Sequence, residues 1–409
     1  MTRPGASHEL LLVVAAALAT AIAVSISPAV VAPASAHPGD LSGVLKSTDG
    51  GQHWSYLSTG LVVDTVFALV VDPAQPQTMY VGSERGLFRS RDSGVQWEKQ
   101  TQGIEGNAVY ALSLDRERPG ALYAATASGF FWSGGGDVWQ QLGKGTAVGP
   151  LFAMLNDSRR PGTLYIAGQR GVLRSGDRGS HWTPVSTGLP AGSVLYLAAD
   201  SQQPTTIYAA TSRGPYVSSN EGREWKPLTS GLLGEGVFYV TSSRYTPDLL
   251  YTSVRDQVFS RLESGEDWQE VGLPLTCDSF VGRTWVLRLA EHPTAASGLY
   301  AGSERGLFVS TDGGASWSCP APFDFTWVQV GAIAFHPSDA NTVFVGTSGP
   351  PYRNYLVPIG ADAGGLPQRV TAASANDWLP AAFLLAAFVV GSVLVLRWLL
   401  RQYRQPPRA

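Results

Sequence analysis

Tryptophan recurs at Trp54, Trp97, Trp139, Trp182, Trp225, Trp268 and Trp317, at intervals of 43, 42, 43, 43, 43 and 49 residues. A fixed period of this length marks stacked supersecondary units, so the 409-residue chain is first of all a repeat protein. One phrase surrounds each tryptophan. It reads Ser47-Thr48-Asp49-Gly50-Gly51-Gln52-His53-Trp54 at the first site and Ser90 to Trp97 at the second. Ser175 to Trp182 and Ser310 to Trp317 match it fully, and Ser218 to Trp225 carries Asn220 in place of the Asp. Ser133 to Trp139 is one residue short and Ser260 to Trp268 one long. A hydroxyl and a carboxylate beside a tight turn accept backbone N–H groups that the turn leaves open. The glycine takes a positive φ, and the indole covers the hairpin with its N–H free to bond at the edge.

The phrase S-x-D-x-G-x-x-W resembles the Asp-box, or BNR repeat, of sialidases, sortilin and photosystem II assembly factor-like proteins, over nearly all of residues 43–348. The resemblance implies a β-propeller in which these boxes punctuate the fold away from the binding face. Asp49, Asp92, Asp177 and Asp312, with Asn220 and with Trp54, Trp97, Trp182, Trp225 and Trp317, are therefore read as structural. The resemblance to the assembly factors further implies a role in assembly or stability of a partner.

Each repeat carries four strand signals. Val66 to Val71 is a buried inner strand without alternation, Asp72-Pro73 opens a turn, and Thr78 to Gly82 follows. Gly86 to Ser90 is the third strand, the box is the next turn, and Gln96 to Gln100 is the fourth, the pattern of a propeller blade. The chain begins with only a third and a fourth strand, Val44 to Ser47 and His53 to Leu57. It ends with only a first and a second, Ala332 to Phe335 and Thr342 to Gly346. The two halves complete one another, which predicts an all-β, seven-bladed propeller of four-stranded blades with a shared closing blade and no exposed sheet edge. The propeller is assigned to residues 37–348.

The flanks read differently. Arg3 and His8, an apolar run from Leu10 to Ile26 and the close Ala34-Ser35-Ala36 describe a signal peptide over residues 1–36. Glu9 is its one misfit, and an uncleaved N-terminal anchor is the rival reading; no cysteine follows the run, which excludes lipoprotein processing. Residues 349–377 are rich in Pro, Gly and Ala and are read as a linker. Residues 378–396 contain no charge and are long enough, at about 1.5 Å per helical residue, to cross a bilayer as a transmembrane helix. Arg397, Arg401, Arg404 and Arg408 follow, so residues 397–409 form a basic cytoplasmic tail and the propeller lies outside the cell membrane. A bond between the only two cysteines, Cys277 and Cys319, is feasible in that oxidising setting, though spacing alone supplies no geometry for it.

The search for chemistry points to binding. A formal net charge of −3 lacks the electrostatic footprint of a nucleic-acid binder. No His or Cys spacing forms a metal site, there is no phosphate cradle, and no cofactor is implied. The loops feeding the inner strands hold few acids, Asp64, Glu105, Glu235 and Asp278, without a recognisable pair. Asp64 and Asp278 are the two candidates. The hairpins between second and third strands carry Arg85-Gly86, Arg170-Gly171, Arg213-Gly214 and Arg305-Gly306, on the face opposite the boxes. Arginine grips carboxylates in a bidentate manner, so Arg85, Arg170, Arg213 and Arg305 are candidate binding residues, against the plain reading that a long solvated side chain suits the position before a turn glycine. The long loop from Gly272 to Arg283, with Phe280, Trp285 and Tyr239, is a further candidate contact surface. The expectation is a monomeric, membrane-anchored scaffold that binds a protein or a glycan. The alternative is an exported sialidase-like glycoside hydrolase, which needs a converging arginine triad and a Tyr–Glu pair.

Overall fold

The computed structural model describes residues 42–348 except 101, 105–106, 136–137, 144–149, 229–231, 233–235, 263–264, 266, 273–284 and 321–327. The leader, linker, membrane helix and tail read from the sequence, with Cys277, Asp278, Phe280, Glu105 and Glu235, lie outside the described residues. Among the described residues no helix is long and apolar enough to cross a membrane.

Seven antiparallel sheets stand side by side. In the first, Val66–Val71, Met79–Ser83, Gly86–Ser90 and Glu98–Gln100 pair in chain order, and the next four repeat that meander. The sixth has three strands, Val286–Glu291, Leu299–Ser303 and Gly306–Ser310. A fourth begins with the antiparallel bridge of Val309 to Ser318, and the residues 321–327 that follow lie outside the described residues. The seventh sheet is shared between the ends, in the order Ser55–Tyr56, Gly43–Ser47, Asp339–Ser348, Gln329–His336. Gly43 to Ser47 pairs in unbroken register with Thr347 back to Val343, as the half-blades at the two ends predict. Each inner strand packs on the next, and Gln329–His336 packs on Val66–Val71, which closes the ring.

The core is distributed. Seven apolar clusters lie between neighbouring blades, each combining residues from two of them. The second strands are the most buried, and their tyrosines Tyr80, Tyr123, Tyr165, Tyr208, Tyr251 and Tyr300 repeat in step with the tryptophans. Burial, with the carboxylate of Asp115 beside it, pushes the Tyr123 phenol up to about 12.

The repeated turns have the anticipated wiring, with one addition. In Ser175–Trp182 the Ser175 Oγ accepts the Gly179 N–H at 2.8 Å and donates to the Asp177 carboxylate at 2.7 Å, which in turn accepts the His181 N–H at 2.9 Å. Two successive residues, not the glycine alone, are left-handed: Ser93 and Gly94, Arg178 and Gly179, Glu221 and Gly222. The first of each pair then donates its N–H to the chain just before the second strand, as Arg178 does to Gly162. The indoles do more than cover hairpins. Trp97, Trp225, Trp268 and Trp317 donate their Nε1–H to Leu57, Val185, Leu228 and Val271 of the preceding blade. Trp54 and Trp182 bond instead to Gly51 and Gly179 of their own turns.

Candidate binding face

Antiparallel order sends the second-to-third hairpins and the loops entering the inner strands to one end of the ring, and the Ser-x-Asp turns to the other. At the hairpin end a local code projects the arginines. The Ser83 hydroxyl accepts the Arg85 N–H and donates to the Gly86 carbonyl, and Thr211 and Ser303 do the same around Arg213 and Arg305. Gly86, Gly214 and Gly306 have φ of 117°, 119° and 128°, conformations that disfavour any side chain, so the residue before each forms the tip.

The four arginines differ in what they do. Arg85 donates to Asp64 at 2.8 Å and to Glu84 at 3.2 Å, while Glu84 accepts the N–H groups of Asp64 and Thr65. The hydrogen bond and charge of Asp64 raise the Arg85 pKa. Arg85 and Asp64 thus fasten the loop entering the first blade. Arg170 and Arg213 are exposed and Arg305 is half-buried; Arg213 makes no ion pair among the described residues. A fifth tip arginine, Arg255, stands exposed in the fifth-blade hairpin at φ 54°. It is followed by Asp256 and not by glycine, and it stands at the first turn position, 13 residues before Trp268, where the other four stand 12 before theirs; that near-constant distance is the signal that finds it. Asp278 lies outside the described residues.

The same end opens on the central channel. In all seven inner strands the ladder slips at one level, between Val66 and Ala68 in the first blade and between Val330 and Ala332 in the last. A bulged residue is left out of pairing and re-aims its side chain. Four of these, Phe67, Tyr110, Phe152 and Phe238, are aromatic, and the first three adjoin: Phe67 lies 5.1 Å from Tyr110, and Tyr110 5.7 Å from Phe152, centroid to centroid. From the sixth blade Arg288 reaches across, its Nε donating to Gly331 O at 3.0 Å and Nη2 to Phe67 O at 3.4 Å. Its guanidinium carbon sits 5.0 Å over the Tyr196 ring and 5.9 Å over that of Tyr239. The two tyrosine rings lie 4.2 Å apart, tilted by 35°, and join hydroxyls at 3.3 Å. Burial raises the Tyr239 phenol well above its ordinary value. Tyr239, expected as a contact surface, is therefore buried channel lining, and Trp285 packs edge-on against Phe238 at 5.2 Å. Arg288 was not singled out in the sequence, because only one inner strand carries an arginine and no period announces it.

Cys319 is disulfide-bonded and no described cysteine is free. Among the described residues no cluster of His, Cys, Asp and Glu could hold a metal.

At the opposite end the turn carboxylates are strongly acidic. The His181 N–H, then the Ser175 hydroxyl, hold Asp177 at about 2 against an ordinary 3.8; the Ser316 hydroxyl and N–H do the same for Asp312. A carboxylate depressed in the folded state stabilises the fold above its unfolded pKa, and that stability is lost as pH falls through the folded value. Stability is thus expected to fall between about pH 4 and pH 2. Asn220 already makes the equivalent bonds to Ser218 and to the Glu224 N–H, so D177N with D312N keeps the geometry and removes the titration. Urea midpoints across that window should slope less steeply in the double variant; equal slopes would show that these carboxylates do not govern acid sensitivity.

No protein-family model matches the chain, and no curated protein matches its sequence. Solved structures match the fold. A GH74 xyloglucanase from Xanthomonas campestris aligns with a TM-score of 0.58 at 20% identity, over 73% of this chain and 52% of its own. YCF48 bound to a D1 peptide aligns at 0.53 with 18% identity, over 70% of this chain and 94% of its own. The extracellular domain of a one-component system from B. thetaiotaomicron aligns at 0.59 with 15% identity, over 73% and 39%. The chain spans about half the length of the xyloglucanase. At these identities the matches establish a seven-bladed propeller and nothing finer.

Proposed function

We propose that this chain is a membrane-anchored Asp-box propeller on the extracytoplasmic side that binds an acidic protein segment through its hairpin face. The observation that carries the reading is the row of tip arginines, with Arg170, Arg213 and Arg255 exposed at the same end of three consecutive blades. Repetition of one long cation at one level builds a positive rim, and guanidinium groups grip carboxylates in pairs. The apolar stretch of residues 378–396 with its arginine flank supports the anchor, and the run ending Ala34-Ser35-Ala36 supports export. A structural neighbour, YCF48, has been solved with a D1 peptide bound, which agrees with a peptide-binding role for a ring of this kind.

The test is capture of a partner on the full-length chain beside R170A/R213A/R255A. Because Arg85 holds its own loop through Asp64, it is left intact and the triple variant should fold normally. Binding is expected to weaken at least tenfold and to lose most of its salt dependence. A partner that binds both forms equally would move the site off this rim.

A further inference from the structure

The central channel holds a positive charge that the rim does not explain. Arg288 has five N–H donors; one goes to Gly331 O and one to Phe67 O, and among the described residues no carboxylate stands within ion-pair distance. Both engaged donors meet neutral carbonyls, and the flat face of the group lies over Tyr196 and Tyr239. These contacts fix the guanidinium plane without neutralising it. The side chain is only half-buried, so the remaining N–H edge is reachable from the channel. Beside it stands an apolar wall, Phe67, Tyr110 and Phe152, whose successive rings are turned by 45° and 73°. Rings so turned do not form the flat platform on which a sugar stacks. A charged fork at one side and an aromatic wall at the other are the two halves of a site for a small amphiphilic anion.

We infer that the channel binds a small organic carboxylate with an aromatic or alkyl body. The carboxylate pairs with the free edge of Arg288, and the body lies against the aromatic wall. This site is separate from the hairpin rim and stands whether or not the rim binds a protein.

The experiment is calorimetric titration of the full-length chain with phenylacetate and with phenylacetamide, its uncharged counterpart. A ligand of this size is expected to bind with a dissociation constant of about 1 mM. The amide should bind at least tenfold more weakly, and R288K, which keeps the charge but loses the fork, should weaken the acid by a similar factor. Since Arg288 also struts the channel, Y110A/F152A serves as a second variant that leaves the strut in place; it should weaken both ligands alike. A blocked tetrapeptide ending in a free phenylalanine distinguishes a chain end from a free small acid by binding more tightly than phenylacetate if the natural carboxylate is a chain end. Acid and amide binding equally, or R288K binding phenylacetate as well as the wild type, would overturn the inference.

Discussion

Removal of residues 1–57 is expected to abolish cooperative unfolding of the ring, although the deletion takes only two short strands. Gly43–Ser47 is the third strand of the closing blade and fills a five-residue register against Val343 to Thr347. Val44 and Leu45 on it are 0% and 3% exposed. Burying two such side chains contributes about 1.5–3 kcal/mol each, before the ladder hydrogen bonds and the strand edge that would be laid bare are considered. The total, on the order of 5 kcal/mol, is comparable with the whole stability of an ordinary domain. Thermal unfolding of the truncated chain should lose its single sharp transition, and a synthetic peptide of residues 42–58 added in trans should restore it. An unchanged transition in the truncated chain would mean that closure of the ring does not stabilise it.

A single methyl group is expected to do nearly as much damage at Gly188. This residue has φ of 90°, and a Cβ there would stand 2.3 Å from the Trp225 carbonyl oxygen. That carbonyl cannot retreat, because the Trp225 N–H is tied to Thr187 O at 2.8 Å and its indole to Val185 O at 2.7 Å. Left-handed backbone costs a non-glycine residue about 1–2 kcal/mol, and the overlap adds about 1–3 kcal/mol more. Gly188→Ala should therefore destabilise by about 3 kcal/mol in urea titration. Gly313→Ala is the control: its φ is 76°, but nothing lies within 4 Å of the added carbon, so only the backbone cost of about 1 kcal/mol applies. Equal losses at the two sites would refute the close-approach argument.

Gly188 also marks where reading the sequence stopped. Gly60, Gly103 and Gly272 occupy the same place after the fourth strand, with φ of 82°, 85° and 81°. The same period runs through Ser-Thr-Gly-Leu at residues 58–61 and 186–189, three repeats apart. The blade count and the shared closing blade were legible because they depend on local turn chemistry and on which half-blade stands at each end. The site was less legible for a physical reason. Arg85 looks in sequence like any other tip arginine, and only the fold brings Asp64 to it from 21 residues away. Arg288 owes its position to Phe67, 221 residues distant, through a carbonyl contact that no spacing encodes.

The indoles that hang each blade on its neighbour have an optical consequence. Trp97, Trp139, Trp225 and Trp268 are at most 7% exposed, each in a different gap of the ring, and three of them hold a backbone carbonyl of the preceding blade. Opening any one of those gaps wets one indole, and for Trp97, Trp225 or Trp268 also removes its acceptor, while the others stay dry. Each of these four indoles therefore reports on its own seam, and single Trp→Phe replacements compared with the parent chain of twelve tryptophans would isolate each contribution in turn, so that the order in which those four seams open could be read from fluorescence.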